Sequence, residues 1–217
     1  MFNTILFDLD GTIVDTDPLH FLAWKAVFAE HGRVIDERFY KENISGRFNP
    51  EILQVHFPAM GPEEIRRGVE KKEACFFELA TALAPLPGLL DVIAWAKALG
   101  VQQAVVTNAP AGNARFLLSA LGISGSFCDV VLAEEAKAAK PDPALYRFAL
   151  ARLQIDPKSA IAFEDSPAGI HAAVTAGIPT IGITSTHGPD QLCAVGAMMA
   201  VPDFTSDRLW KFLNARA

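Results

Sequence analysis

Apolar residues along this chain fall into two kinds of run. Short unbroken ones stop at polar residues. Thr4-Ile-Leu-Phe7 stops at Asp8, Gln103-Ala-Val-Val106 at Thr107, Ala160-Ile-Ala-Phe163 at Glu164-Asp165, and Pro179-Thr-Ile-Gly-Ile183 at Thr184. Continuous rather than alternating apolar character predicts strands covered on both faces. Val130-Val-Leu132 and Met198-Met-Ala-Val201 repeat the pattern more faintly. Between these runs, apolar positions recur at helical spacing. Leu89, Val92, Ile93, Ala96 and Leu99 mark one helix, preceded by Gly88 and closed by Gly100. Further helices are expected over 112–121, closed by Gly122, and over 143–153, with Asp142 as cap and Pro143 at the first helical position. A fourth opens at Ser166-Pro167 by the same cap chemistry and closes at Gly177. Strand alternating with helix predicts an α/β fold, a doubly wound parallel sheet with helices on both faces.

One region breaks the alternation. From residue 17 to 84 only helical patterns occur, over 19–30, 36–41, 50–56 and 63–83, and the stiff segment Pro85-Leu-Pro87-Gly88 follows. Roughly 65 residues without a strand are too many for a connecting loop. The expected organisation is an α/β core of residues 1–15 and 86–217 with an all-helical domain, 16–85, inserted after the first strand.

Composition narrows the classes of function. Of 217 residues, 51% are hydrophobic and 20% charged, which excludes a disordered or fibrous chain. Nineteen basic against twenty-five acidic residues give a net charge of −6, which argues against a nucleic-acid partner. An anionic ligand stays possible, because a site can be locally positive inside an acidic protein. Cys75, Cys128 and Cys193 form neither a disulfide framework nor a zinc set and are expected as small buried hydrophobes in a reducing compartment. The first residues lack a basic segment and reach Asp8 early, unlike a secretory signal. The apolar tract 172–184 is too short for a membrane span and is broken by Gly177 and Pro179. A soluble, cytoplasmic monomer without a membrane partner is expected.

The candidate chemistry starts at Asp8-Leu-Asp10-Gly-Thr12-Ile-Val-Asp15. Carboxylates two residues apart at a strand end point the same way. The carboxyl ends of parallel strands are where ligands bind. Gly11 lets the backbone turn or approach a ligand closely. A calcium loop needs an acid at position 5 and Gly at 6, where this chain has Thr12 and Ile13. A plain Asp-Gly turn remains the alternative for the motif alone. Thr107-Asn108, Lys140-Pro-Asp-Pro143 and Glu164-Asp165 also have ordinary readings singly: a strand-end hydroxyl, a surface charge, an acidic turn or cap. Together, at one edge of one sheet, they point to a site.

The chemistry that unites them is phosphoryl transfer through an aspartyl phosphate. The obstacle is repulsion: two unit charges 4 Å apart cost about 4 kcal/mol at a dielectric near 20, and a phosphate dianion doubles that. Mg²⁺ on Asp8 and Asp165, with Lys140 as a fixed cation, would offset it. Thr107 Oγ and nearby N–H groups become phosphate donors. Asp10 suits general acid–base catalysis on the leaving oxygen and on water.

These residues resemble the haloacid dehalogenase superfamily, in the branch of β-phosphoglucomutase and phosphoglycolate phosphatase, over nearly the whole chain. The run Glu164-Asp-Ser-Pro-Ala-Gly-Ile170 is the most specific match. The resemblance implies a Rossmann-like core and a helical cap that opens and closes about hinges at 14–17 and 85–88. It implies Asp8 as nucleophile and Asp10 as acid/base, with Thr107 and Lys140 completing the catalytic set. Gly11, Thr12 and Asn108 fall at the phosphate. The metal set is Asp8, Asp10 through its main-chain carbonyl, Glu164 partly through water, and Asp165. His20 resembles a histidine near the acid/base aspartate, or is a helix-surface histidine. Arg47, in Ser45-Gly46-Arg47, meets substrate or is a solvated charge. The chain departs from the branch at Ala109 and Pro110, where phosphoglycolate phosphatases and the mutase respectively carry lysine. The dehalogenases lack the second aspartate, so Asp10 selects phosphoryl transfer. The expected function is a Mg²⁺-dependent phosphatase of a small phosphorylated metabolite, foremost a sugar phosphate. The alternatives are a sugar phosphomutase and a non-catalytic phospho-ligand binder. The aromatics Phe21, Trp24, Phe28, Phe76 and Phe77 could present an interaction face, but at helical spacing they are expected in the core.

Overall fold

The computed structural model describes residues 2–45, 47, 49–80 and 83–215. The chain divides into two compact units, Met1–Asp15 with Leu83–Ala217, and Thr16–Ala82.

The first unit is built on six strands: β1 (Thr4–Phe7), β2 (Gln102–Thr107), β3 (Asp129–Leu132), β4 (Ala160–Glu164), β5 (Thr180–Ile183) and β6 (Met199–Val201), in the order β3-β2-β1-β4-β5-β6. Every pairing is parallel. All four residues of β1 and all five of β4 are buried, as continuous apolar runs in a two-sided sheet require. Phe7 stacks on Phe163 of β4 with ring centroids 5.3 Å apart, and Phe204 packs edge-on against Phe163 at 5.1 Å. The strand order reverses between β1 and β4. At such a switch point the connections leave in opposite directions and open a crevice at the carboxyl ends.

Among the described residues the second unit holds four helices: α1 (Asp17–Glu30), α2 (Glu37–Asn43), α3 (Asn49–His56) and α4 (Pro62–Leu79). Asp36 caps α2 by accepting the Phe39 N–H at 2.7 Å. Helix α4 ends earlier than the expected residue 83, and Thr81 and Ala82 of that expectation lie outside the described residues. Trp24, Phe28 and Phe76 are buried, so these aromatics form core.

Among the described residues six α-helices complete the first unit: α5 (Leu89–Ala98), α6 (Ala111–Ala120), α7 (Ala144–Leu153), α8 (Pro167–Thr175), α9 (Pro189–Ala194) and α10 (Asp207–Asn214). Ser166 caps α8 as expected, its Oγ accepting from Gly169 N–H at 3.1 Å. At α7 the expectation shifts by one residue. Ala144 is the first helical residue, and Asp142 accepts its N–H at 2.8 Å across Pro143, which has no N–H to offer. Gly88 opens α5 with φ +77, and a Cβ there would lie 2.6 Å from the Phe204 backbone. The neighbouring segment is pinned to the core, with Leu86 N–H bonded to the Ile13 carbonyl and Phe204 N–H to that of Pro87. Two expectations fail. Cys128 and Cys193 are exposed: Cys128 lies in the connection before β3, and Cys193 lies in the short helix α9, which buries Leu192 instead. Helices α9 and α10 were not expected from the pattern; α9 is short, and α10 buries only Leu209 and Leu213. Among the described residues no helix is long and apolar enough to cross a membrane.

Candidate active site

The register of the sheet places the chemistry. Phe7 pairs with Phe163 on one side and Val105 on the other, so Asp8 stands level with Glu164 and Val106. The Asp8 N–H donates to the Phe163 carbonyl at 3.0 Å, extending the ladder by one bond. Into this edge the loop before α7 delivers Lys140. Its ammonium donates to Asp8 Oδ1 (2.6 Å), Glu164 Oε1 (2.6 Å) and the Val106 carbonyl (2.7 Å). Those are all the protons an ammonium has. The Asn108 amide fixes the loop from outside, donating to the Lys140 carbonyl at 3.1 Å and accepting its N–H at 3.0 Å. From α7 the Tyr146 hydroxyl donates to Glu164 Oε1 at 2.7 Å.

Asp8, Glu164 and Asp165 each offer a carboxylate oxygen within 4.8 Å of the others, and all three residues are buried. Three carboxylates thus face one ammonium. Burial, reinforced by Glu164 and Asp165, pushes Asp8 well above the ordinary carboxylate range, and Lys140 only partly opposes it. Burial and Glu164 push Asp165 up to about 7. Burial would lower the Lys140 pKa, but Asp8 and Glu164 outweigh it and hold the ammonium above its ordinary value. Burial and the nearby acids also raise the Tyr146 phenol, which stays neutral and donates. Glu164 Oε2 is buried without a hydrogen-bond partner among the described residues. Surplus negative charge, an unpartnered buried oxygen and an all-oxygen donor set fit a hard divalent cation.

Two glycines make this crowding possible. At Gly11, where φ is +78, a Cβ would lie 2.3 Å from Asp165 Oδ2. At Gly169 it would lie 1.9 Å from Glu164 Oε2. The Glu164-to-Ile170 run is therefore a packing solution: the first turn of α8 must lack a side chain where the buried glutamate lies.

Of the residues singled out in the sequence, Asp8, Lys140, Glu164 and Asp165 converge. Asp10 follows in a loop closed on itself by Ile13 N–H to Leu9 O and Gly11 N–H to Val14 O, both 2.8 Å. Thr107 ends β2, its Oγ1 accepting the Ala109 N–H at 2.9 Å. The Thr12 hydroxyl is buried with no partner among the described residues. Asn108, expected at the phosphate, uses its amide on Lys140. His20 and Arg47 belong to the helical unit. His20 stacks on Phe76 with centroids 4.4 Å apart, and its Nδ1 lies 2.9 Å from Lys72 Nζ. Arg47 is exposed, its Nη2 3.3 Å from the Glu42 carbonyl, and Gly46 of that expected loop lies outside the described residues. Sequence reasoning missed Tyr146, Lys72, Ser185 and Thr186. A polar tip on the buried stripe Leu145, Tyr146, Ala149, Leu150 was the available signal for Tyr146.

The family model described as haloacid dehalogenase-like hydrolase matches residues 2–177. The chain is 30% identical over 206 residues to the validoxylamine A 7'-phosphate phosphatase of Streptomyces hygroscopicus subsp. limoneus, covering 92% of this chain and 93% of that one. It is 32% identical over 182 residues to a phosphorylated carbohydrates phosphatase of Thermotoga maritima, covering 82% of each. Its fold matches the crystal structure of CbbY from Rhodobacter sphaeroides in complex with phosphate, with a TM-score of 0.83, 29% identity and coverage of 95% and 96%.

Proposed function

The chain belongs to the haloacid dehalogenase-like hydrolases, and from that premise we propose that it hydrolyses a small phosphorylated sugar through a covalent phosphate on Asp8, with Mg²⁺ as cofactor. It is a phosphoric monoester hydrolase of that family. The observation that carries the finer reading is the buried Asp8–Lys140–Glu164 cluster beside Asp165 at the sheet's switch point.

Lys140 holds Asp8 Oδ1, which leaves Oδ2 to attack phosphorus. As the Oδ2–phosphorus bond forms, the bond from phosphorus to the sugar oxygen breaks, and Asp10 gives that oxygen its proton. Asp10 then takes a proton from water, whose oxygen bonds phosphorus while the bond to Asp8 breaks. Inorganic phosphate leaves, and both aspartates return to their starting states. Thr107 and Thr12 supply hydroxyls, and Gly11 a close backbone approach, to the phosphate oxygens. Asn108 acts through the backbone of Lys140. Asp8, Glu164, Asp165 and the main-chain carbonyl of Asp10 would hold Mg²⁺, which when bound neutralises charge between the nucleophile and the phosphate. We take 16–85 as the cap domain and 1–15 with 86–217 as the core, and assign His20 and Arg47 to substrate recognition.

Two features favour a sugar phosphate and hydrolysis over mutation. Two of the relatives named above are a phosphatase of phosphorylated carbohydrates and a phosphatase of validoxylamine A 7'-phosphate. Pro110 leaves out the lysine that the mutase carries beside its bisphosphate. The test is phosphate release from a panel of sugar phosphates, with Mg²⁺ and after chelation, for wild type and Asp8→Asn. Mg²⁺-dependent release that Asp8→Asn abolishes, at a melting temperature near wild type, supports the reading. No release across the panel rejects it, and isomer conversion without phosphate loss makes the protein a mutase.

A further inference from the structure

The loop after β5 touches both segments that carry the carboxylates, although nothing in the mechanism above uses it. Strand β5 pairs with β4, Glu164 opposite Gly182, so the chain leaving Ile183 passes beside Asp165. Thr184 N–H bonds the Val201 carbonyl at 2.9 Å and anchors the loop to β6. The Ser185 hydroxyl donates to the Gly11 carbonyl. Thr186 Oγ1 makes a short hydrogen bond to Asp165 Oδ2 and lies 3.0 Å from the Asp165 carbonyl. His187 Nδ1 lies 2.9 Å from Thr186 Oγ1. With the proton on Nδ1, His187 donates to Thr186, whose own proton is then directed at the carboxylate. The Thr186 methyl faces Gly11, 3.1 Å from where a Cβ would stand.

We propose that Thr186 and Ser185 are positioning residues for the cation. Thr186 holds Asp165 in the one orientation that turns its ligand oxygen toward Asp8 and Glu164, and Ser185 holds the Gly11 turn that lets Asp165 approach. This inference rests on the metal reading of the acidic cluster. A carboxylate held by an outer hydroxyl need not be ordered when the cation arrives. Removing such an outer partner typically weakens metal affinity about 10–100-fold. The loop backbone is secured independently by the Thr184–Val201 bond, so loss of the hydroxyl removes the positioning contact without releasing the strand.

The experiment measures Mg²⁺ binding directly, by titration calorimetry on chelator-treated full-length protein, for wild type, Thr186→Val, Thr186→Ser and Ser185→Ala. The Mg²⁺ activation constant and kcat at saturating Mg²⁺ on an aryl phosphate are read alongside. Thr186→Val is nearly isosteric and should raise the Mg²⁺ Kd about 10–100-fold, whereas Thr186→Ser, which keeps the hydroxyl, stays within about threefold. kcat at saturating Mg²⁺ should recover toward wild type in Thr186→Val. Ser185→Ala should weaken Mg²⁺ in the same direction, which keeps the test available if Thr186→Val fails to fold. Unchanged Mg²⁺ affinity in Thr186→Val overturns the inference. Equal defects in Thr186→Val and Thr186→Ser overturn it too, since packing would then be the cause. A wild-type protein that takes up no Mg²⁺ rejects the metal reading itself, a different result from a wild type that binds and a variant that binds equally well.

Discussion

Chelating the metal should make this protein's stability fall as pH rises through neutrality. Asp165 titrates near 7 in the folded metal-free protein against an ordinary 3.8, because it is buried beside Glu164. Asp8 is raised in the same direction. Between those two values the folded state binds more protons than the unfolded chain, so stability decreases with pH. For Asp165 alone, a folded pKa of about 7 against 3.8 gives a loss of about 2 kcal/mol between pH 5.5 and pH 8. Below pH 4 the dependence on pH vanishes and the contribution is fully present, because both states are protonated. Mg²⁺ competes with these protons and should stabilise more at pH 8 than at pH 5.5. The assay is urea unfolding at the two pH values, in chelator and in saturating Mg²⁺. Chelated wild type should lose stability at pH 8, Asp165→Asn should flatten the dependence, and Mg²⁺ should remove it. A metal-free protein equally stable at both values, or an equal Mg²⁺ gain at both, would refute the argument that three buried carboxylates share too little positive charge.

Further outcomes follow from the same geometry. Asp10→Asn should slow turnover about 10²–10⁴-fold with little change in Mg²⁺ binding, measured by steady-state phosphate release. Lys140→Met leaves Asp8 and Glu164 without their shared cation and should cost about 3–5 kcal/mol in urea unfolding of the metal-free protein at pH 8, less at pH 5.5, where protons can replace the ammonium. Gly169→Ala drives a methyl group onto Glu164 and should destabilise by about 1–3 kcal/mol or more, read as a lower melting temperature. Arg47→Ala should raise KM for the preferred sugar phosphate and leave kcat near wild type; an unchanged KM makes Arg47 a solvated surface charge.

Much of this was legible in the chain. The strands show as apolar runs because a parallel strand buried on both faces has no polar position to spare. The polar residues that end those runs, Asp8, Thr107 and Glu164-Asp165, show because a charge next to such a run must sit at the sheet's edge. Lys140 was harder to read. It lies between Ala139 and Pro141, away from any strand, and its backbone is clasped by the amide of Asn108, the residue that follows β2. Thr186 was not legible at all. Within Thr184-Ser-Thr-His187 it looks like any loop hydroxyl, and its partner lies 21 residues away.

From the order of its apolar and polar residues alone, the chain determines a parallel sheet, a helical insertion and the identity of the acids and the lysine that the fold brings together. Those properties are local, set by burial on two faces, by caps and by what must follow a buried strand. The tertiary structure alone decides which oxygen faces which donor. It pairs Lys140 with Glu164 as well as Asp8, gives Tyr146 and Thr186 their acceptors, and demands bare backbone at Gly11 and Gly169. Those choices arise only when β4 and β5 bring distant loops to one edge, because a hydrogen bond or a clash of a few ångströms is a property of space and not of sequence separation.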